Sequence, residues 1–244
     1  MKKNCTFLQN LLSLFYPRLC LNCKTPLHEK EEFFCMECSH NLPETKYHLQ
    51  ESNPLDQIFI GRVSVYNTFS YLFFRKGTST QAILHALKYR GNKEIGEFLG
   101  YRYGQQLRES GVFQDIDLII PIPLHPRKEK KRGYNQSEWI AKGLSKALGI
   151  EYNTTFLFRK TFTDTQTKKA RFNRWENVKE VFEIKNCEIL EGKHILLCDD
   201  VLTTGATMEA AIQQFMADSY HYAFAVACAS LIFSIAIYYA GMFT

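Results

Sequence analysis

The stretch "ILLCDDVLTTGATM" (residues 195–208) constrains the fold most, because it joins an apolar run, two adjacent acids and a hydroxyl-rich turn. The run from His194 to Cys198 is short and bounded by polar residues, as is typical of a strand buried in a parallel sheet. Asp199 and Asp200 follow it, at the carboxyl end where open α/β sheets have their ligand crevices. The sequence therefore predicts an α/β fold with a binding site at this point.

The residues after the two aspartates form a predicted phosphate cradle. They precede "MEAAIQQFMA" (208–217), whose alanine content and apolar spacing favour a helix. Backbone N–H groups at a helix N-terminus bind phosphate, whereas carboxylates suit sugar hydroxyls or a divalent cation. The pattern predicts a phosphorylated sugar as ligand; a solvated Asp-Asp turn before a capped helix is the structural alternative. The cradle residues are Thr203, Thr204, Gly205, Ala206 and Thr207.

From Ile195 to Thr207 the sequence resembles the ribose-phosphate motif of type I phosphoribosyltransferases. That motif is an apolar strand, two acidic residues, two apolar residues and Thr-Thr-Gly-x-Thr, and every position is filled here. The resemblance implies that Asp199 and Asp200, the catalytic candidates, hold the ribose hydroxyls of phosphoribosyl pyrophosphate. It also implies that residues 203–207 hold the 5'-phosphate and that Mg²⁺ accompanies the pyrophosphate.

Two C-x-x-C pairs, Cys20 with Cys23 and Cys35 with Cys38, are separated by eleven residues. Two such knuckles supply the four thiolates that structural zinc favours, and a closed four-sulfur shell leaves no position for substrate. We therefore predict a small zinc ribbon in residues 1–50, followed by the main domain in residues 51–244. Reduced thiols without metal, or two redox pairs, are the alternatives.

Three basic stretches are expected around the ligand. "LKYRGN" (87–92) interrupts a helical pattern at Gly91, and "PRKEKKRGYNQ" (126–136) follows a predicted strand at 117–122 and enters a helix near Asn135. Five cations on one loop are usually a solvated face, but beside the predicted site they would face pyrophosphate. The polar segment 159–182 is a candidate lid. The candidates are Lys88, Arg90, Arg127, Arg132, Gly133, Asn135 and Gln136, with Gln166, Arg171, Arg174 and Asn177 from the lid.

Both ends of the chain are apolar. Residues 7–15 show one apolar helical face and are expected to pack on the main domain, because polar interruptions make them a poor signal peptide. Residues 223–244 carry no charge. A strand at 222–230 and a further strand or packed tail explain this run better than a membrane-spanning tail, since flanking basic residues are missing.

Five features follow one another along the chain: the four-cysteine ribbon, "LKYRGN", "PIPLHP" before "RGYNQ", the "TQT" segment and "CDDVLTTGAT". Together and in this order they resemble the ComF family of competence proteins, including ComFC and GntX-type members. The resemblance implies a type I phosphoribosyltransferase-like open parallel sheet flanked by helices. It also implies a cytoplasmic protein acting in natural transformation and uptake of single-stranded DNA. A ComF-type helicase and DNA-processing proteins are the implied partners.

Three functions remain open at this stage. The first is a phosphoribosyltransferase whose acceptor the sequence does not identify. The second is a non-catalytic sugar-phosphate-binding module that contacts a partner through its zinc ribbon. The third is direct binding of single-stranded DNA by the basic loop and Tyr89, Tyr134 and Trp139, which a net charge of +5 permits.

Overall fold

The computed structural model describes residues 16–89, 91–111, 115–160, 181–217 and 226–234. Several sequence predictions fall outside these ranges. They are the helix at residues 7–15, Arg90, and the lid candidates Gln166, Arg171, Arg174 and Asn177.

A four-stranded parallel sheet forms the centre of the molecule, with the order β1-β6-β5-β2. A separate antiparallel pair, β3 with β4, completes the strands of the described residues. The sheet confirms the predicted parallel α/β fold. The strands are β1 Asn67–Phe74, β2 Leu118–Pro121, β3 Leu157–Arg159, β4 Phe182–Ile184, β5 Ile195–Leu202 and β6 Val226–Ser234.

The charge-free C-terminal run contributes a central strand, since β6 lies between β1 and β5 and is parallel to both. The prediction of one strand at 222–230 and a second element after it was wrong in its boundaries, because a single strand continues across Ser230 to Ser234. None of the helices in the described ranges is long and apolar enough to span a membrane.

Seven α-helices of the described ranges surround the sheet. The described ranges contain α1 Met36–His40, α2 Asp56–Phe59, α3 Ser79–Tyr89, α4 Glu94–Ser110, α5 Pro126–Arg132, α6 Gln136–Leu148 and α7 Ala206–Ala217. Short 3₁₀ helices occur at Tyr47–Leu49 and Cys187–Leu190. The predicted pair of helices around Gly91 is confirmed by α3 and α4.

The α4 and α6 backbones touch directly through glycines. A Cβ atom on Gly100 would lie 2.3 Å from the carbonyl oxygen of Ile140, and one on Gly143 would lie 2.1 Å from that of Glu97. Only hydrogen side chains allow this approach, because real Cβ contacts are never so short. The contact fixes α6, whose N-terminus reaches the candidate site.

The five cations expected on a loop lie instead in helix α5, so that part of the prediction was wrong. Local signals explain the helix: Pro126 occupies its first turn and Gly133 follows it with a φ of 81°. The Nδ1 atom of His125 accepts a hydrogen bond from the backbone N–H of Arg127 at 3.2 Å and caps the N-terminus.

The cysteine-containing region packs on α4 and on the outer edge of β1. The Phe33 and Phe98 rings lie 5.3 Å apart, and Arg102 donates a hydrogen bond to the carbonyl oxygen of Ser39 at 3.0 Å. The backbone N–H of Thr45 donates to the carbonyl oxygen of Tyr71 at 2.9 Å. The N-terminal region is therefore anchored by both apolar and polar contacts, while the domain division at residue 50 stays a prediction.

Candidate functional site

The two aspartates lie within β5, near its carboxyl end, and not after it. The strand was predicted to end at Cys198, but its pairing with β6 continues through Asp199 to Leu202. The Oδ1 atom of Asp199 accepts hydrogen bonds from the Ser137 hydroxyl at 3.0 Å and from the backbone N–H of Asp200 at 2.8 Å. One carboxylate is thus oriented by two donors before any ligand binds.

The acid pair carries less than its full negative charge near neutral pH. Burial, followed by the neighbouring charge of Asp200, raises the pKa of Asp199 to about 7. The Nζ atom of Lys88 lies 3.1 Å from Oδ2 of Asp200 and offsets part of the repulsion. The structure therefore brings Lys88 to the carboxylates, although the sequence prediction assigned it to pyrophosphate.

The threonine turn joins β5 to α7 through a constrained glycine. Gly205 has a φ of +75°, and a Cβ atom there would lie 2.6 Å from Cγ2 of Ile58. The side chains of Thr203, Thr204 and Thr207 are exposed, and α7 begins at Ala206, two residues before the predicted start. The turn therefore places exposed hydroxyl groups at the N-terminus of a helix, as a phosphate cradle requires.

The "RGYNQ" stretch meets the aspartates at the N-terminus of α6. Oδ1 of Asn135 accepts from the backbone N–H of Ser137 at 3.2 Å, and its Nδ2 donates to the carbonyl oxygen of Ile122 at 3.0 Å. Gln136 accepts from Arg132 at 2.7 Å through Oε1, while its buried Nε2 has no hydrogen-bond partner among the described residues. A buried, unpaired donor is costly, so this amide is available for an acceptor on a ligand.

Arg159 was not singled out in the sequence, although it begins the proposed lid segment. It pairs with Phe182 in the β3–β4 ribbon, and its guanidinium lies 5.4 Å from the centre of the Phe182 ring. Burial lowers the pKa of Arg159, and the negative charge of Asp199 opposes that shift. Residues 160 and 181, which lie at the two ends of the candidate lid, are therefore close together at the end of the β3–β4 pair. The Arg159 cation at this point is close enough to interact electrostatically with Asp199.

The aromatic residues suggested for DNA contact have different surroundings. The Tyr134 hydroxyl donates to the carbonyl oxygen of Leu87, which ties α3 to the "RGYNQ" stretch. Ammonium groups of Lys93 and Lys142 lie 4.6 and 4.4 Å from the Trp139 ring centre. Tyr89 is 70% exposed. Of the three, Tyr89 is the most exposed, and its ring centre lies 5.2 Å from that of His85.

The four cysteines come together as the spacing predicts. Their sulfur atoms all lie within 4.8 Å of one another, and Nδ2 of Asn22 lies 3.4 Å from the Cys38 sulfur as a hydrogen-bond donor. Zn–S bonds of about 2.3 Å in a tetrahedron require closely clustered sulfurs of this kind. The cluster can hold a zinc ion, and Cys20 is fully buried on its inner side.

The part of the chain that holds the Asp-Asp pair near the end of central strand β5 and the Thr-Thr-Gly-Ala-Thr turn after it matches a known domain. The family model described as "Phosphoribosyl transferase domain" matches residues 135–235. This match begins at the cap of α6 and ends just past β6, so it covers the aspartates and the threonine turn but not Lys88 or helix α5.

The DNA utilization protein YhgH of Escherichia coli O157:H7 is 27% identical over 82% of this chain and 91% of its own length. Its namesake in Salmonella typhimurium is 31% identical, over 54% of this chain and only 58% of that protein. Competence protein ComFC of Bacillus subtilis is 31% identical over 52% of this chain and 50% of its own. The chain is thus similar to proteins named for DNA utilization and for competence.

Among solved structures, the allosteric regulatory enzyme of purine biosynthesis is similar over 60% of this chain and 29% of its own. The identity is 16% and the TM-score is 0.40.

Proposed function

We propose that the protein binds phosphoribosyl pyrophosphate together with Mg²⁺ and acts as a phosphoribosyltransferase. The observation that carries this proposal is the hydrogen bond between Ser137 and Asp199, because it joins the cap of α6 to the ribose motif of β5. In this arrangement Asp199 and Asp200 accept hydrogen bonds from the ribose hydroxyls. Residues 203–207 hold the 5'-phosphate at the N-terminus of α7.

The pyrophosphate is assigned to the cationic side of the same site. Arg132 offers guanidinium donors, the unpaired Nε2 of Gln136 can donate to a phosphate oxygen, and the backbone at Gly133 is open to close approach. Arg127 and Arg159 extend the positive charge along this side. Arg90 and the lid residues Gln166, Arg171 and Arg174 are proposed to complete it.

The ion pair between Lys88 and Asp200 is proposed to change when the ligand arrives. Carboxylates are the oxygen ligands that Mg²⁺ prefers, and the cation would neutralise the pyrophosphate as leaving group. Asp200 would help to hold that cation, and Lys88, whose Nζ lies 3.1 Å from Oδ2 of Asp200, would then have to move away. Release of Lys88 toward pyrophosphate satisfies both groups and reconciles the observed contact with the role predicted from sequence.

The proposed reaction is attack of an acceptor on the anomeric carbon of ribose, with pyrophosphate leaving. The transition state develops positive charge on the sugar, so Asp199 and Asp200 contribute by orientation and electrostatics and no covalent nucleophile is needed. The candidate lid at residues 159–182 is proposed to exclude water from that sugar cation. The acceptor is not assigned.

The names of the relatives support a proposal for the cellular role. Because similar chains are named competence and DNA utilization proteins, we propose that this protein acts in DNA uptake in the cytoplasm. The four cysteines are proposed to hold structural zinc, in a ribbon that contacts a helicase or another DNA-processing partner. The exposed cations of α5 and the exposed side chain of Tyr89 are candidates for contact with single-stranded DNA.

Isothermal titration with phosphoribosyl pyrophosphate, with and without Mg²⁺, tests the binding proposal. We expect Mg²⁺-dependent binding that weakens at least about tenfold in the D199N/D200N variant, because two ribose contacts lose their charge. The control is E188Q/E191Q, which makes the same charge change at exposed positions. Equal affinity in wild type and D199N/D200N would refute the assignment of the ribose site.

A further inference from the structure

Arg62 lies beside the proposed phosphate turn, although it is more than 140 positions away along the chain. One guanidinium nitrogen, Nη1, donates to the carbonyl oxygens of Thr204 and Ile58, each at 3.0 Å. The other, Nη2, forms an ion pair with the carboxylate of Glu209. One side chain therefore bridges α2, the threonine turn and the first turn of α7.

Glu209 presents a problem for a phosphate site. It lies in the first turn of α7, where a carboxylate stabilises the helix dipole. The same negative charge would repel a phosphate bound at that N-terminus. Its side chain is only 14% exposed, so solvent screens the charge less than it would on an open surface.

We infer that Arg62 is a positioning residue for the phosphate end of the site. Its guanidinium neutralises Glu209 and holds the carbonyl group of Thr204 away from the anion. The inference rests on the proposed binding of a 5'-phosphate at residues 203–207. Arg62 itself needs no contact with the ligand. Its guanidinium is engaged with the Ile58 and Thr204 carbonyls and with Glu209, so it acts on the phosphate through those groups.

The position of α2 supports this role. Ile58 and Phe59 pack against Gly205, since a Cβ atom on that glycine would lie 2.6 Å from Cγ2 of Ile58 and 3.1 Å from Cε1 of Phe59. The apolar contact sets the distance between α2 and the turn, and Arg62 adds the charge. The short segment before β1 thus supports the turn from outside the phosphoribosyltransferase match at 135–235.

Titration of the full-length protein with ribose 5-phosphate tests the inference through a charge-rescue cycle. R62M should bind on the order of tenfold more weakly than wild type, because Glu209 is left uncompensated. R62M/E209Q should return to within about twofold of wild type, and E209Q alone should bind at least as tightly. The control R108M removes an exposed arginine from the last turn of α4 and should leave the affinity unchanged.

The charge rescue separates this role from a merely structural one. If the affinity fell only because the Thr204 contact was lost, it would stay low in the double variant. Two results overturn the inference while the proposed function stands: wild-type affinity in R62M, or a weakened R62M that E209Q does not restore. Absence of binding by folded wild-type protein would instead contradict the phosphate site itself, and the inference with it.

Discussion

At the scale of a single residue, Asp199 makes stability depend on pH. Its pKa is raised from 3.8 to about 7 in the folded protein, chiefly by burial. The folded state therefore binds more protons than the unfolded state between these values, and stability falls as the pH rises from about 4 to 7. The penalty is complete above pH 7.

We expect the D199N variant to remove this penalty, since an amide keeps an acceptor for Ser137 and for the Asp200 N–H. Its free energy of unfolding should exceed that of wild type by about 2 kcal/mol at pH 8, less than the full shift because an amide accepts weaker hydrogen bonds than a carboxylate. The difference should vanish near pH 4. Urea unfolding at both pH values measures it, and a constant difference across this range would contradict the assigned cause.

Gly205 is the residue on which the shape of the threonine turn depends. Alanine there combines a φ of +75° with a Cβ atom 2.6 Å from Ile58, so we expect G205A to lose about 2–3 kcal/mol of stability. G133A is the matched control, with a φ of +81° and no atom within 4 Å of the added carbon. It should lose only about 1 kcal/mol. Equal losses would mean that packing against α2 contributes nothing.

At the scale of elements, the interface between α4 and α6 is set by backbone contact. G100A would bring a Cβ atom to 2.3 Å from a carbonyl oxygen of Ile140, whereas G96A meets side-chain atoms at 3.2 and 3.3 Å. We expect G100A to lose about 3 kcal/mol or more, because backbone cannot move aside, and G96A to lose about 1 kcal/mol or less. Thermal unfolding compares the two, and similar melting temperatures would contradict the close approach of these helices.

The sequence predicted local elements well because their signals are local. β5, the start of a helix near Asn135 and the helix break at Gly91 each follow from neighbouring residues. Strand β1 was missed because "NTFSYLFF" does not alternate between apolar and polar residues as a half-buried strand does. Although β1 lies at one end of the described sheet order, five of its consecutive residues are buried. Helix α5 was missed because a run of cations is typical of an exposed loop. The signals that favour a helix there are Pro126 at its start and Gly133 at its end.

The residues of the candidate site that lie within one motif were predicted from the sequence. Those that the fold brings together from distant positions were not. The sequence motif contains both aspartates and the turn that the structure places together. Ser137 and Arg62 are 62 and 142 residues from the groups that they contact, and no local pattern connects them. Lys88 was recognised as a site cation, but its pairing with Asp200 depends on where α3 ends relative to β5.

At the scale of the whole molecule, the zinc ribbon is expected to stabilise the fold without entering the ligand site. Its region contacts α4 and β1, on the side of the sheet order away from β2. We expect a chelator to lower the melting temperature by about 5 °C or more and to leave ribose 5-phosphate affinity within about twofold. C20S/C23S is the control, because chelator should not change its melting temperature further. An equal shift in both proteins would show that the chelator acts elsewhere.

The most direct test of the central claim is a crystal structure of the protein with phosphoribosyl pyrophosphate and Mg²⁺. We predict the 5'-phosphate at residues 203–207, the ribose hydroxyls at Asp199 and Asp200, and the pyrophosphate beside Arg132 and Gln136. Lys88 should have left Oδ2 of Asp200. A ligand bound elsewhere on the molecule, or one at this turn with the Lys88 and Asp200 pair intact and no contact to either aspartate, would contradict the proposed site.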